Sequence, residues 1–146
     1  MDALSENTEV ESPAAEAWRL MRTLFGLHRR RFLIAASELD LHPAQAGALL
    51  QLASALPMNE LAGRLGCDNS NVTGLIDRLE ARGLVARQPS SEDRRVKHVV
   101  LSAEGERLRA EMLRRVGPPA PGFERLSHEE LTQLRDILHR VLGESA

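Results

Sequence analysis

Two groups of polar residues lie near the middle of the chain and suit contact with the base edges and phosphates of a nucleic acid. The neutral group is Asn69, Ser70, Asn71 and Thr73, and the cationic group is Arg94, Arg95 and Lys97. Amides and hydroxyls both donate and accept hydrogen bonds, as base edges in the major groove require. Guanidinium and ammonium groups pair with phosphate, and arginine is favoured in the negative potential of the minor groove. The residue types therefore predict DNA contact if the fold places the two groups side by side.

The neutral group lies on a segment with the spacing of an amphipathic helix. Apolar side chains recur at i, i+3, i+4 and i+7, which places them on one side of a helix. They are Val72, Leu75, Ile76 and Leu79. The opposite side carries the neutral group with Asp77 and Arg78. Asp68 or Asn69 can cap the start, and Gly83 ends the helix. Taken alone, such a segment is more often an ordinary amphipathic helix whose polar face meets only water.

The segments on either side of this helix favour a winged helix-turn-helix. A short helix over residues 59–65 ends at Gly66, so a tight turn joins the two helices. Beyond the second helix, Leu84 begins an extended segment and residues 89–93 have the composition of a turn. Apolar, mostly β-branched residues resume a strand over 96–101. The result is a two-stranded hairpin whose tip carries the cationic group, and with that hairpin present DNA binding becomes the favoured interpretation.

Helices on both sides of this unit predict a mainly α fold. The first helix begins near Pro13 and ends near residue 39, and a second opens at His42 with Pro43 in its first turn. Ser102 can cap a further helix that runs to about residue 116. Residues 117–122 are rich in glycine and proline and must break that helix, and Ser127 begins a capping box for the last one.

Charge is unevenly distributed along the 146 residues. The formal net charge is −2, from 19 basic and 21 acidic side chains. Residues 1–16 hold five acidic groups and no basic one, so the remainder carries 19 basic and 16 acidic side chains, a balance of +3. The acidic head predicts a disordered tail over residues 1–12. The acidic head lacks the features of a secretory signal, and no apolar run is long enough to span a bilayer. Cys67 is the single cysteine, so it has no disulfide partner within the chain. We therefore expect a cytoplasmic protein with no membrane partner.

The chain offers little for catalysis or for binding a metal. Its histidines are scattered, and none shares a metal-binding spacing with another histidine or with Cys67. Gly63 and Gly66 lack the lysine of a phosphate-binding loop, and no Ser/His/Asp set is suggested by spacing. We therefore expect no catalytic residue, no metal and no cofactor. The other alternative is a winged helix that contacts only proteins, which would not need cations on its wing.

Three fragments in the expected order resemble the MarR family of transcriptional regulators. Residues 61–85, LAGRLGCDNSNVTGLIDRLEARGLV, are similar to the helix-turn-helix of that family. Residues 93–97, DRRVK, are similar to its wing, and residues 101–105, LSAEG, to the start of the helix after the wing. The terminal helices also match in placement, so the resemblance covers roughly residues 15–143. It implies a dimeric DNA-binding regulator, more commonly a repressor than an activator, and not an enzyme.

The resemblance implies particular roles for the polar residues. Residues 69–82 would be the recognition helix, with the neutral group near bases or phosphates and Arg78 on phosphate. On the wing, Arg95 would enter the minor groove, and Asp93 would orient its guanidinium through a charge-assisted hydrogen bond. The other two wing cations, Arg94 and Lys97, would contact phosphate. Many family members carry a basic residue where this chain has Gly74, so that contact is missing here unless the glycine lets the helix approach the DNA backbone closely.

Family members are two-fold dimers built from the first helix and the last two. The resemblance therefore implies an N-terminal dimerisation helix over 13–40, a DNA-binding lobe over 41–101 and C-terminal dimerisation helices over 102–146. Candidate interface residues are Trp18, Leu108, Met112, Leu131, Leu134, Leu138 and Leu142. The alternative is that these side chains pack within one chain. A dimer predicts a double-stranded, pseudo-palindromic operator with half-sites about 10 bp apart.

MarR-like proteins often bind small aromatic or phenolic effectors between the dimer helices and the DNA-binding lobe. Candidate pocket residues here are Phe25, His28, Phe32 and Leu49, with ordinary packing as the alternative. Effector binding would favour one dimer geometry and so release the operator. Oxidant-sensing members of the family use a cysteine near the N-terminus, where this chain has none, so we expect a structural or incidental role for Cys67.

Overall fold

The computed structural model describes residues 12–117 and 122–144, which form six α-helices and three short strands. In chain order these are α1 (Pro13–Glu38), α2 (Pro43–Gln51), β1 (Leu56–Pro57), α3 (Met58–Leu65), α4 (Asn69–Ala81), β2 (Val85–Pro89), β3 (Lys97–Leu101), α5 (Ala103–Val116) and α6 (His128–Leu142). The mainly α prediction and the order of its elements are confirmed. Of the disordered tail predicted over residues 1–12, only Ser12 lies within the described residues, where it caps α1.

Side-chain caps explain where several helices begin. Ser102 Oγ accepts a hydrogen bond from the N–H of Gly105 at 3.1 Å, and Ser127 Oγ accepts one from the N–H of Glu130 at 3.2 Å. Both caps are the ones that the sequence predicts. At the start of α2, the N–H of His42 donates to the side-chain oxygen of Gln45 at 3.0 Å. These bonds satisfy N–H groups that have no partner inside a helix.

The strands form one antiparallel sheet in the order β1-β3-β2. β2 and β3 are the predicted hairpin, with Val85 opposite Leu101. The sequence predicts two strands, and the structure adds a third, because β1 pairs with β3 through Leu56 opposite Val99. A two-residue strand is too short to show the alternation by which strands are recognised. Pro57 lies at its end and has no N–H to donate, which suits an edge position.

One apolar core joins the sheet to five of the helices, α1 to α5. The predicted apolar face of α4 is confirmed, since Val72, Leu75, Ile76 and Leu79 are all buried. Residues from α2, α3, β3 and α5 complete the same core, among them Leu49, Leu61, Val99, Leu108 and Met112. Burial of one face of α4 leaves the face with the neutral group toward solvent.

A close backbone approach fixes α5 against the turn that follows α4. A Cβ on Gly105 would lie 2.0 Å from the carbonyl oxygen of Leu84, so a side chain there could not be accommodated without a shift of the backbone. Ser102 Oγ donates to the carbonyl oxygen of Gly83 at 2.6 Å, and the Ser102 N–H donates to that of Leu84 at 3.0 Å. The base of the hairpin and the start of α5 are therefore held to the end of α4.

Large parts of α1 and α6 do not pack on this core. α6 contains no buried residue, and in α1 only Ala35 and Ala36 are buried. Trp18 is 57% exposed and Val141 is 69% exposed. Within residues 12–117 and 122–144, no helix is long and apolar enough to cross a membrane.

Candidate nucleic-acid interface

A tight turn joins α3 to α4, as predicted. Gly66 ends α3 with a φ of 63°, a left-handed conformation that favours glycine because it has no Cβ. The N–H of Cys67 donates to the carbonyl oxygen of Ala62 at 3.1 Å and closes the turn. Asp68 is the N-cap of α4, but its carboxylate makes no cap bond; it accepts a hydrogen bond from Asn71 Nδ2 at 3.3 Å instead.

The neutral group lies together on the solvent side of α4. Asn69, Ser70, Asn71, Thr73 and Arg78 are all exposed. The hydroxyl of Thr73 donates to the carbonyl oxygen of Asn69 at 2.8 Å, which holds it against its own helix with its lone pairs outward. No heavy atom outside the helix lies within 4 Å of a Cβ built on Gly74, so this side of the helix is open. The arrangement gives short donors and acceptors on an unobstructed helical surface.

The turn of the wing is held by its own backbone. The N–H of Ser90 donates to the carbonyl oxygen of Val96 at 2.9 Å, and the N–H of Val96 donates to that of Asp93 at 3.0 Å. Asp93 Oδ1 accepts the backbone N–H of Arg95 at 2.9 Å. The expectation that Asp93 orients the guanidinium of Arg95 is therefore wrong in this structure, because the carboxylate bonds to the backbone of the turn. Asp93 shapes the wing and leaves the Arg95 side chain unconstrained.

The cations of the wing are exposed. Among the described residues, the charged groups of Arg94, Arg95 and Lys97 form no ion pair and no hydrogen bond. By contrast, most arginines of α5 are paired with glutamates on the same helix. Three positive charges without local partners are available to an external anion such as a phosphate.

Arg87 on β2 ties the base of the wing to α4, a role that the sequence analysis missed. Its guanidinium donates to Asp77 Oδ1 at 2.6 Å and also pairs with Glu80. The backbone N–H of Arg87 donates to Glu80 Oε1 at 3.2 Å. Asp77, which we placed on the polar face of the helix, is thus turned toward the strand. No local pattern indicates this contact, because the partners lie seven and ten residues apart on two different elements.

The protonation state of Arg87 is secured by the same contacts. Burial acts to lower the pKa of the Arg87 guanidinium, but its hydrogen bonds to Asp77 and Glu80 outweigh that effect and raise the pKa above its ordinary value. The side chain is only 24% exposed. These contacts therefore favour the charged form of the Arg87 guanidinium.

A second arginine anchors the far end of α4. Arg82 donates to the carbonyl oxygen of Asp40 at 2.8 Å and to the side-chain oxygen of Gln45 at 3.1 Å. Asp40 has a φ of 52°, an uncommon conformation for a residue with a side chain. Arg82 thereby connects the end of α4 to the loop between α1 and α2 and to Gln45 of α2.

A cleft of about 440 Å³ lies between the start of α2 and α4. Its lining includes His42, Gln45, Cys67, Asn71 and Arg78. The thiol of Cys67 is exposed and donates to the carbonyl oxygen of Leu65 at 3.5 Å. Two residues of the candidate interface, Asn71 and Arg78, thus form one edge of a concave surface.

The candidate dimer residues divide into two sets. Leu108 and Met112 are buried in the core of their own chain, so their assignment to a dimer surface is wrong and the alternative of packing within one chain holds for them. They face inward because α5 is sandwiched between α1 and α2. Trp18 is exposed, and four residues of α6 form an apolar strip that is partly or fully open: Leu131, Leu134, Leu138 and Leu142.

The four candidate effector residues do not share a pocket in the single chain. Leu49 has no exposed surface and Phe32 packs against the core, so these two serve packing. Phe25 and His28 are exposed on α1. In the part of the chain that the structure describes, no group of three or more histidine, cysteine, aspartate or glutamate side chains could hold a metal ion.

The α3–turn–α4 unit followed by the β2–β3 wing defines a winged helix-turn-helix protein. Residues 48–97, which include α3, α4, β2 and the turn of the wing, match the model of the MarR family. Residues 48–97 are thus assigned to a winged helix-turn-helix similar to that of the MarR family, and the polar groups described above lie within it.

Individual relatives support this assignment. The transcriptional repressor MprA from Escherichia coli strain K12 is 36% identical over 90 residues, which cover 58% of this chain and 49% of MprA. The chain spans about half the length of the curated relatives it matches. The crystal structure of apo MarR from E. coli is 27% identical, with a TM-score of 0.65, and the match covers 85% of this chain and 95% of MarR. A mutant MarR from E. coli complexed with operator DNA is 25% identical, with a TM-score of 0.65, over 92% of this chain and 99% of that one.

Proposed function

We propose that this chain is a sequence-specific DNA-binding regulator of transcription. The observation that carries the proposal is an exposed neutral face on α4 beside a wing whose cations have no partner among the described residues. Neutral donors and acceptors suit base edges, whereas unpaired cations suit phosphates and the minor groove. A protein of the same fold, 25% identical to this chain, has been crystallised with operator DNA, which supports the same partner here.

Each polar residue takes a role that fits its position. Ser70, Asn71 and Thr73 contact bases or nearby phosphates from the first turns of α4, where a helix enters the major groove. Arg95 enters the minor groove, with Arg94 and Lys97 on the flanking phosphates. Arg87 takes no direct part and keeps the wing at a fixed angle to α4 through Asp77 and Glu80.

The regulator acts as a homodimer, and α6 supplies the main argument. This helix has 15 residues, a capping box at its start and an apolar strip, yet it buries no residue within its own chain. A helix of that length is marginal in water without tertiary packing of its apolar face. A second copy would cover the strip and the exposed first half of α1, and would present two α4 helices to two half-sites.

Repression with release by a small effector completes the proposal. The relative MprA is named a transcriptional repressor, which supports repression rather than activation. An effector that binds one arrangement of the dimer more tightly than another shifts the population away from the form that fits DNA. Of the residues first considered for the effector, only Phe25 and His28 remain open to a ligand in this structure.

The decisive experiment is selection of duplexes from a random DNA library, followed by titration of the selected sequence at two salt concentrations. We expect a pseudo-palindromic sequence and salt-dependent binding. Arg95→Ala should weaken binding roughly tenfold and reduce the salt slope by about 1, because one cation leaves the interface. Thermal stability should not change, since the Arg95 side chain has no partner among the described residues.

Arg107→Ala is the matched control for Arg95→Ala. It removes the same charge from the molecule, but Arg107 lies on α5 and pairs with Glu104 at 2.7 Å. DNA affinity should therefore stay close to that of the unmodified protein. Failure to select any sequence, or equal loss of affinity in both variants, would favour the alternative of a winged helix that contacts only proteins.

A further inference from the structure

We infer that a cleft at the base of the hairpin binds a free α-amino acid. The cleft has a volume of about 470 Å³ and lies between the loop after α2, the end of β3 and the first turns of α5. Val100 and Leu101 border it at the end of β3 that is opposite to the wing tip. It is separate from the face of α4 that carries the neutral group and from the apolar strip of α6.

The guanidinium of Arg109 indicates a carboxylate ligand. Arg109 lines the cleft, and its Nε is buried without a hydrogen-bond partner. Buried donors in folded proteins are almost always paired, because an unpaired buried donor keeps its desolvation penalty. A guanidinium presents parallel N–H groups whose spacing matches the two oxygens of a carboxylate. Nε itself has almost no accessible surface, so a carboxylate in the cleft would pair with the terminal N–H groups of the same guanidinium, which have no partner among the described residues.

The carboxylate of Glu106 supplies the complementary charge. Glu106 lines the same cleft one helical turn before Arg109. Elsewhere on α5, glutamate and arginine at this i, i+3 spacing form ion pairs, as in Glu104–Arg107 and Glu111–Arg114. Within the described residues, neither Glu106 nor Arg109 has an ion-pair partner, so the two charges are presented to the cleft separately.

A ligand whose two opposite charges are carried by groups on the same carbon atom matches this arrangement. The carboxylate of an α-amino acid pairs with Arg109 and its ammonium pairs with Glu106, which leaves no charge of the ligand or cleft unpaired. The hydroxyl of Ser54 also lines the cleft and can accept from the ammonium or donate to the carboxylate. A plain carboxylate would bring its charge close to that of Glu106, so it should bind less well.

An amino acid bound in this cleft would be an effector of the regulator, a consequence that rests on the proposed function. The cleft borders β3, the strand whose first residue is Lys97 of the wing, and α5, which packs on α1. A ligand held between them would favour one position of the wing relative to the terminal helices. Binding itself needs no DNA and can be measured on the protein alone.

The test is calorimetric titration of the full chain with L-alanine, L-serine and L-leucine, each in the absence of DNA. The amino acid with the largest response is then compared with its N-acetyl derivative and its amide, which each lack one charge. We expect saturable binding of the free amino acid, and at least tenfold weaker binding of both derivatives. No binding by any of the three amino acids, or equal binding of the derivatives, would overturn the inference.

Two variants locate the site, and a third controls for the fold. Arg109→Met keeps the length of the side chain and should abolish binding of the free amino acid. Glu106→Gln should remove the advantage of the free amino acid over its N-acetyl derivative. Arg107→Met, one position along α5 and outside the cleft, should leave binding unchanged. Thermal unfolding of each variant separates lost binding from lost structure.

The outcomes distinguish this inference from the regulator proposal. If the chain binds an amino acid but selects no DNA sequence, the amino-acid site is supported and the proposed regulatory function is contradicted. If the chain selects an operator but binds none of the three amino acids, the regulatory function is supported and the amino-acid site is contradicted. If Arg109→Met changes sedimentation and not ligand binding, Arg109 serves a protein interface and the inference fails.

Discussion

The guanidinium of Arg87 joins two elements that must keep a fixed angle if helix and wing are to reach one DNA duplex. It contacts Asp77 and Glu80, on successive turns of α4, while its backbone N–H bonds to Glu80 as well. Three contacts from one residue restrict rotation of β2 against the helix. At the wing tip, Asp93 orders the backbone through its bond to the N–H of Arg95, and the cations have no partner among the described residues.

Replacing Arg87 should loosen this connection. Arg87→Met removes the two contacts of the guanidinium with Asp77 and Glu80 but keeps the backbone N–H bond and most of the stem. We expect a loss of about 1 kcal/mol in the free energy of unfolding, since the site is partly solvated. Urea denaturation measures it. Arg107→Met breaks an exposed pair on one helix, and its effect on the free energy of unfolding should be smaller than that of Arg87→Met. Equal losses in the two variants would show that Arg87 contributes no more than a surface ion pair.

The pH dependence of stability should have a contribution from Glu111. Its hydrogen bonds to Arg114 at 2.6 Å and to Arg115 at 2.7 Å lower the pKa of the Glu111 carboxyl from 4.5 to about 2. Because the pKa is lower in the folded state, the stabilisation is fully present above about pH 4.5 and is lost as the pH falls toward about 2.

Glu111→Gln tests this pH window. The variant should be less stable than the unmodified protein near neutral pH, and the difference should shrink as the pH falls below the ordinary pKa of glutamate. Urea denaturation near neutral pH and in acid gives both values. Glu129→Gln on α6 is the control, because Glu129 pairs with no arginine in the described part of the chain. A gap that stays constant with pH would contradict the assignment.

At the scale of elements, local sequence patterns were sufficient to predict the helices and the hairpin. Periodic apolar residues, the caps at Ser102 and Ser127 and the glycine at position 66 each act over a few residues, so the sequence displays them directly. β1 and the Arg87 contacts could not be predicted in this way, because both depend on partners that the tertiary fold brings together. The tight approach at Gly105 was missed for the same reason.

Two glycines in helices should respond to alanine in opposite directions. Gly105→Ala places a Cβ against the carbonyl of Leu84, and we expect a loss of about 1–3 kcal/mol because the backbone must move. Gly74→Ala adds a Cβ in open space within α4, and the lower entropy of the unfolded chain should stabilise the protein by about 0.5–1 kcal/mol. Thermal and urea unfolding measure both. A loss at position 74 would mean that the helix needs the glycine's flexibility.

At the scale of the whole molecule, periodicity indicates that a face is apolar but not what covers it. Leu108 and Met112 on α5 have the same helical spacing as the apolar residues of α6, yet only the first pair is buried within the chain. Intramolecular and intermolecular packing use the same residue types and the same spacing. The distinction appears only when the helices are placed: α5 packs on α1 and α2, whereas α6 extends its apolar strip outward.

The exposed apolar strip of α6 predicts that two copies of the chain assemble through this helix. Leu138 lies near the middle of α6 and borders the apolar hollow formed with Phe123 and Leu134. Leu138→Glu places a charge where a second copy would pack, and burying an unpaired charge is costly. We therefore expect a dimer for the unmodified protein and a monomer for the variant in sedimentation equilibrium. Because α6 adds no buried residue to the core, the thermal transition of the DNA-binding lobe should persist in the variant.

Gln133→Glu provides the matched control, since it introduces the same side chain on the exposed side of the same helix. It should remain dimeric and should bind the selected operator as tightly as the unmodified protein. Leu138→Glu should bind the two half-sites independently and more weakly, because the second contact is no longer intramolecular. A monomeric unmodified chain that still selects a pseudo-palindrome would show that the DNA, and not α6, brings the two copies together.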